Sequence, residues 1–344
     1  MQIEVSRDAI SNAPVTISVL ESLRESARLI STHYSTQIEG NRLTKKEVED
    51  VVHNGSVFPN RQRDEEEVKN YYLAIDYVDS LIKNKSSITE ENIRTIHGLV
   101  MNGKKSASKY RDGQNVIKDS ATGGIVYMPP EARDVGGLMT ELVNWINNSI
   151  NDREVPSPII AAIAHYEFAT IHPYYDGNGR TARLITNLIL HLSGYGLKGI
   201  YSLEEYYARN LQSYYNALDV GESHNYYMGR AEADISKWIE YFCLGMDEAF
   251  NKVKIQTLEA KDDKATDKSE LLRLLDKRQK LVLNLFKESK FITTREISEL
   301  LNIHIRTSLN LCKKWQGEGF IIMHGNAPKL RKYELSDQWS AALK

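Results

Sequence analysis

The stretch His172-Pro173-Tyr174-Tyr175-Asp176-Gly177-Asn178-Gly179-Arg180-Thr181-Ala182-Arg183 constrains this chain more than any other, because it stops one helix, turns tightly and starts a second. Residues 159–170 upstream carry a helical pattern, and Pro173 pushes His172 out of the α region, so that helix must end there. Downstream, Arg180 to Leu192 is apolar at helical spacing and Ser193-Gly194 is a stop. Gly177, Asn178 and Gly179 are the residues that most easily adopt positive φ, so backbone N–H groups can converge there at a helix N-terminus. That arrangement predicts an anion cradle. His172 titrates near neutrality and suits a general base, and Asp176 is a hard oxygen ligand suited to Mg²⁺ (or Mn²⁺). Arg180 and Arg183 share one face of the first helical turn and can fork onto successive phosphates. A plain helix corner with solvated arginines would not need a base, a metal ligand and two clamps within twelve residues.

These residues resemble the signature of the Fic family of protein nucleotidyl transferases, H-x-F-x-[DE]-G-N-G-R-x-x-R, with Tyr174 in place of the usual Phe. The resemblance implies a Fic/Fido helical core and transfer of AMP from ATP to a Ser, Thr or Tyr hydroxyl of a target protein. It further implies His172 as base, Asp176 on the metal, and Gly177, Asn178, Gly179, Arg180 and Arg183 on the phosphates. Since Phe packs inward in that family, Tyr174 raises only a packing question.

Ahead of the signature, residues 15–39 read as one amphipathic helix ending at Gly40. A carboxylate at a helix C-terminus opposes the dipole, so Glu39 should have a cationic partner. The string Ser35 to Gly40 resembles the inhibitory motif [ST]-x-x-x-E-[GN] of Fic proteins, which implies that Glu39 pairs with Arg183 and keeps the γ-phosphate from it. Thr44 and Glu47 form a capping box, and Asp64 to Glu67 supply an acidic first turn. His97, on a helix from Ile93, reads as structural. Two β-prone runs, Asn115–Ile117 and Ile125–Tyr127, flank a Gly-containing turn and predict a hairpin. It resembles the Fic flap, with Val116, Ile117, Ile125, Val126 and Tyr127 expected to dock an extended target segment. Residues 201–218 form a tyrosine-rich helical region in which Asn210 and Tyr214 are candidates for the nucleotide base pocket.

The 344 residues allow two or three compact units, and 41% hydrophobic with 26% charged residues is ordinary for a folded protein. Cys243 and Cys312 lie far apart without metal-ligand neighbours, arguing against a disulfide framework or a zinc site. Neither a leader pattern nor an apolar span is seen, so the expectation is a cytoplasmic protein with no membrane association. Net charge is −2 but uneven: residues 277–344 hold 13 Lys and Arg against 6 Asp and Glu, hence +7.

That C-terminal part reads as three short helices and a hairpin and resembles a winged helix, with Arg306, Lys313 and Lys314 on the recognition helix and Arg331 on the wing as candidate DNA contacts. Docking to protein, or pairing into a homo-oligomer, competes with DNA binding as its role. The expected fold is thus mainly α, a Fic core with a small β-hairpin flap plus a C-terminal winged-helix domain. The expected division is a helical region 1–84, a core 85–253, a charged linker or helix 254–276 and a final domain 277–344. Three other functions compete: removal of AMP with Glu39 positioning water, phosphoryl transfer, and a nucleotide-sensing DNA-binding regulator. Gly179 and Arg183 speak against phosphoryl transfer, and His172 with Asp176 against a mere sensor.

Overall fold

A computed structural model describes residues 2–13, 17–118, 123–259, 275–301, 303–325, 331–337 and 339–340. It divides into two compact units, one of Met1–Ser11 with Arg24–Gln256 and one of Asn12–Leu23 with Thr257–Lys344.

The first unit is built on helices. After α1 (Gln2–Ser11) come α2 (Ile17–Ile38), α3 (Lys45–Asn54), α4 (Gln62–Lys83) and α5 (Glu90–Asn102). A hairpin of β1 (Ile117–Lys118) and β2 (Ile125–Tyr127) precedes α6 (Ala132–Asp152), α7 (Ser157–Ile171), α8 (Asn178–Leu192), α9 (Glu204–Arg209), α10 (Leu211–Leu218) and α11 (Ser236–Glu259). The α7–α8 pair is the centre. Ile160, Ala161, Ala162, Ala164 and Phe168 of α7 are buried, and its alanines let α8 approach closely with Leu184, Ile185, Leu188 and Ile189. Each large side chain so buried contributes about 1.5–3 kcal/mol. α4 and α5 pack on α8, α6 packs on α7, and the Trp238 indole of α11 donates to the Ala162 carbonyl at 2.7 Å.

The capping box at Thr44 and Glu47 forms as its spacing predicts. The helical region 201–218 consists of two short helices: Asn210, with φ −139°, accepts from the Ser213 N–H and opens α10 as its N-cap. One local expectation changes. In the hairpin, Asn115 turns its side chain to the Val116 N–H, so pairing begins only at Ile117, opposite Tyr127. α4, before position 84, packs on α5 and α8, which follow it. Of the expected linker, residues up to Glu259 continue α11, and 260–274 lie outside the described residues.

In the second unit α12 (Lys277–Glu288), α13 (Thr294–Leu300) and α14 (Ile305–Gly317) lead into the antiparallel strands β3 (Ile321–His324) and β4 (Lys332–Leu335). A bridge from Ile292 to Tyr333 extends that ribbon, and Ile297, Cys312, Trp315, Phe320 and Tyr333 form its core. This is the order of a winged helix. Arg306, Lys313 and Lys314 are exposed on α14, with Lys314 3.5 Å from Glu318 and 3.9 Å from Asp276. Arg331 stands half-buried just before β4. No helix among the described residues is long and apolar enough to cross a membrane.

Candidate active site

The α7–α8 corner forms the loop that the signature demands. His172 sits at φ 50°, a left-handed cap that ends α7, and its N–H reaches the Phe168 carbonyl at 3.1 Å. Gly177 adopts φ 77° and opens α8. A Cβ there would stand 2.6 Å from the Met101 sulfur, so another residue would have to displace Met101 as well as adopt a strained φ. Asn178 is buried and clamps the loop, accepting from the Tyr174 N–H at 3.0 Å and donating to the Tyr174 carbonyl at 2.8 Å. Tyr174 packs inward at 2% exposure, its ring stacked on His97 at 3.5 Å. His97 Nε2 lies 2.9 Å from the Asp176 carbonyl oxygen and, since a carbonyl only accepts, must donate to it. Spacing alone shows no role for His97; three-dimensional proximity reveals a prop under the loop.

His172 is half-buried, with Nδ1 3.3 Å from the Ala169 carbonyl. Nδ1 therefore carries a proton when the ring is neutral, leaving Nε2 as the free acceptor. Burial holds its pKa down to about 4, so the ring is neutral at physiological pH. Arg111, which sequence spacing does not single out, donates to the His172 carbonyl at 3.0 Å and the Gly113 carbonyl at 3.0 Å, and also to the Pro130 carbonyl. It ties both ends of the hairpin to the loop.

Asp176 exposes 57% of its side chain; Oδ1 accepts from the Gly177 N–H at 2.6 Å and lies 3.3 Å from Arg180 Nη2. A single carboxylate of this kind fits a hard cation whose remaining ligands are phosphate oxygens and water. Arg180 is buried, with Nη1 3.9 Å from Glu67. Arg183 is buried more deeply: Nε donates to Ser35 Oγ at 2.7 Å, and Nη2 to the Ser35 carbonyl at 2.8 Å and Glu39 Oε1 at 2.9 Å. Burial opposes the charge on Arg183, but Glu39 more than offsets it and raises the pKa. A Cβ on Gly179 would lie 2.4 Å from Glu39 Oε1, so the carboxylate rests directly on the cradle. Gly40, with φ 92°, ends α2 there, and Asn41 pins the turn to the Asp64 carbonyl at 2.8 Å. Beside Glu39 opens a polar cleft of about 210 Å³, lined by Arg42, Arg61, Arg63, Asp64 and Glu67.

Of the other predicted site residues, Ile125 is exposed, Val116, Ile117 and Val126 are half-buried, and Tyr127 is buried with its hydroxyl donating to the Thr170 carbonyl at 2.8 Å. Tyr127 therefore anchors the hairpin. Asn210 caps α10, and Tyr214 is 2% exposed, packed between Tyr207 and His165.

These features define a helical protein whose central helix pair holds an anion cradle, a neutral imidazole and a paired arginine. Residues 87–190 match the Fic/DOC family. It is 31% identical over 199 residues to protein adenylyltransferase Fic of Nematostella vectensis, covering 56% of this chain and 44% of that protein. The corresponding protein of Drosophila virilis is 29% identical over 196 residues, 57% of this chain and 39% of that one. The chain thus spans less than half the length of these relatives. In fold it is similar to a Fic-domain signalling protein from Bacteroides thetaiotaomicron, TM-score 0.65 and 22% identity, covering 78% of this chain and 100% of that one. A Fic family protein from Desulfovibrio desulfuricans has a TM-score of 0.54 at 21% identity, covering 91% and 87%.

Proposed function

We propose that the protein is an adenylyltransferase that moves AMP from ATP to a Ser, Thr or Tyr hydroxyl of a target protein and that Glu39 holds it in check. The observation that carries this reading is the pair of Arg183 and Glu39 at 2.9 Å, directly over the loop that bears His172. His172 Nε2 takes the proton of the target hydroxyl, whose oxygen attacks the α-phosphorus. The bond from that phosphorus to the β-bridging oxygen breaks, and pyrophosphate leaves. A pKa of about 4 makes His172 a weak base in the resting protein. The charge of an incoming triphosphate favours the protonated ring and strengthens it as a base. Mg²⁺ would be held by Asp176 and would neutralise phosphate charge. The N–H groups of the Gly177–Gly179 loop and Arg180 orient the phosphates, and Arg183 receives the γ-phosphate once Glu39 has left it.

ATP labelled at the α-phosphate tests this with the parent protein, Glu39→Gly, and Glu39→Gly/His172→Ala. Strong transfer to protein is expected only for Glu39→Gly, by about 100-fold or more over the double variant, the scale of a lost general base. Equal transfer with and without Glu39 would overturn the restraint, and transfer that survives loss of His172 would overturn the base. In a parallel run with ATP labelled at the γ-phosphate, transfer of that label in place of the α label would make the protein a kinase.

A further inference from the structure

One turn before Ser35, α2 makes a second connection to the core that the proposed reaction does not use. Glu204, the first residue of α9, is 1% exposed. Its Oε2 accepts from the Ser31 hydroxyl at 3.0 Å and the Ser202 hydroxyl at 2.8 Å, and its Oε1 from the Asn187 side-chain N–H at 3.0 Å and the Tyr71 hydroxyl at 3.3 Å. All of these donors are neutral, and they come from α2, the turn before α9, α8 and α4. An ionised carboxylate accepts at both oxygens and donates at neither, which suits donors converging from several sides. On α2, Ser31 and Ser35 are four apart and share a face; on α8, Arg183 and Asn187 do the same. Two rungs therefore join these helices in opposite order along the chain. One runs from Ser31 to Asn187 through Glu204, the other from Ser35 and Glu39 directly to Arg183. The second rung is exacting. The Glu39 N–H turns to the Thr36 carbonyl at 3.0 Å, so the Ser35 carbonyl is open to Arg183. Arg183 takes that carbonyl at 2.8 Å, the Ser35 hydroxyl at 2.7 Å and the Glu39 carboxylate at 2.9 Å. A guanidinium donates in a fixed fork, so these contacts coincide at one setting of α2 along α8. Arg28, on the same helix, pairs with Asp76 and Asp79, which holds the α4 side of α2 separately.

We propose that Glu204 is a positioning residue for the restraint: by bridging Ser31 of α2 to Asn187 of α8, it sets α2 at the height where Glu39 meets Arg183. This rests on the reading above that Glu39 restrains transfer. A buried carboxylate is costly unless its oxygens are satisfied, so the bridge forms only when α2, α4 and α8 are assembled around it. Because the bridge does not involve Glu39, it persists when Glu39 withdraws. What yields to ATP is then the last turn, where the Gly40 N–H reaches back only to the Gln37 carbonyl at 2.9 Å, while the turn that holds Ser31 stays on α8.

The test uses the full chain and ATP labelled at the α-phosphate, with each change made in the parent and in Glu39→Gly. In the parent, Ser31→Ala is expected to raise transfer to protein about tenfold, the scale of one hydrogen bond to a charged group. In Glu39→Gly the same change should alter transfer less than about twofold, because the restraint is already gone. Ser31→Thr keeps the hydroxyl and should restore the parent level, and Glu204→Ala should act as Ser31→Ala does. No rise in the parent, a rise in both backgrounds, or no rescue by threonine would each overturn the proposal. So would a fall in both backgrounds, which is what the loss of a merely structural contact would give. If Glu39→Gly itself raises no transfer, the restraint is what fails, and amide exchange then tests the bridge: residues 29–35 should exchange slowly in the parent, with or without ATP, and faster in Ser31→Ala. Equal exchange in the two would overturn the bridge. If Glu204→Ala fails to fold, the Ala and Thr pair at Ser31 decides.

Discussion

Tyr174 and Glu167 are neighbours of the loop whose chemistry is costly where it stands. The Tyr174 hydroxyl is buried without a hydrogen-bond partner, while its ring is packed against His97, Tyr110 and Phe168. The ring does the packing and the oxygen adds desolvation cost. Tyr174→Phe should therefore leave stability unchanged or raise it by up to about 1 kcal/mol in denaturant unfolding; a loss above that would reveal a partner for the hydroxyl. Glu167 of α7 is half-buried, and burial pushes its carboxyl up to about 7. A folded pKa above the unfolded value means stability that is complete below pH 4.5 and is lost as pH rises through about 7. Glu167→Gln should raise the melting temperature at pH 8 and leave it unchanged at pH 4.5. The reverse order would show that the carboxylate has a cationic partner.

The hairpin depends on Arg111 more than on its own short ladder. Four registered residues cannot hold a ribbon alone, whereas one buried guanidinium joins the Gly113 and Pro130 carbonyls to that of His172. Arg111→Ala should cost about 3 kcal/mol and speed amide exchange between residues 113 and 130 well before α7 or α8 is affected. Arg111→Lys should not rescue it, because a point charge cannot serve three carbonyls at once. Unchanged exchange in both variants would show that the ribbon is held elsewhere, for instance by Met128 on the His224 carbonyl at 2.7 Å. This element marks the limit of what the chain discloses in one dimension. The α7–α8 loop was legible because its constraints are local: a proline, two glycines and two arginines at fixed offsets. The Glu39–Arg183 pair was legible only through a family resemblance. Arg111, His97 and His165 were not legible at all, because each acts on a group 21 to 79 residues away. For the same reason the hydrogen bond between Tyr214 and His165 was hidden.

Over the whole chain, titration should act unevenly. His33, His97, His165 and His172 all lie in the larger unit, and burial is the first cause of the lowered pKa of each. These rings are neutral when folded, so above the unfolded value near 6.5 they cost nothing. As pH falls below it, the unfolded chain takes up protons that the folded unit refuses, and stability drops until the folded values are reached. For His165, 1% exposed and with a folded value of about 3, the loss at pH 5 is about 2 kcal/mol, from 1.36 kcal/mol per pH unit over the window. Glu167 works the other way and gives back part of its contribution as pH falls from 7. With four imidazoles against one carboxyl, the acid side should dominate. Calorimetry from pH 7.5 to 5 should show the unit that holds the cradle losing melting temperature steeply while nucleotide, at constant multiples of its dissociation constant, restores the same increment at each pH. His165 settles the cause: if its nitrogen shifts show a protonated ring already at pH 6, its burial is not the source of the acid loss.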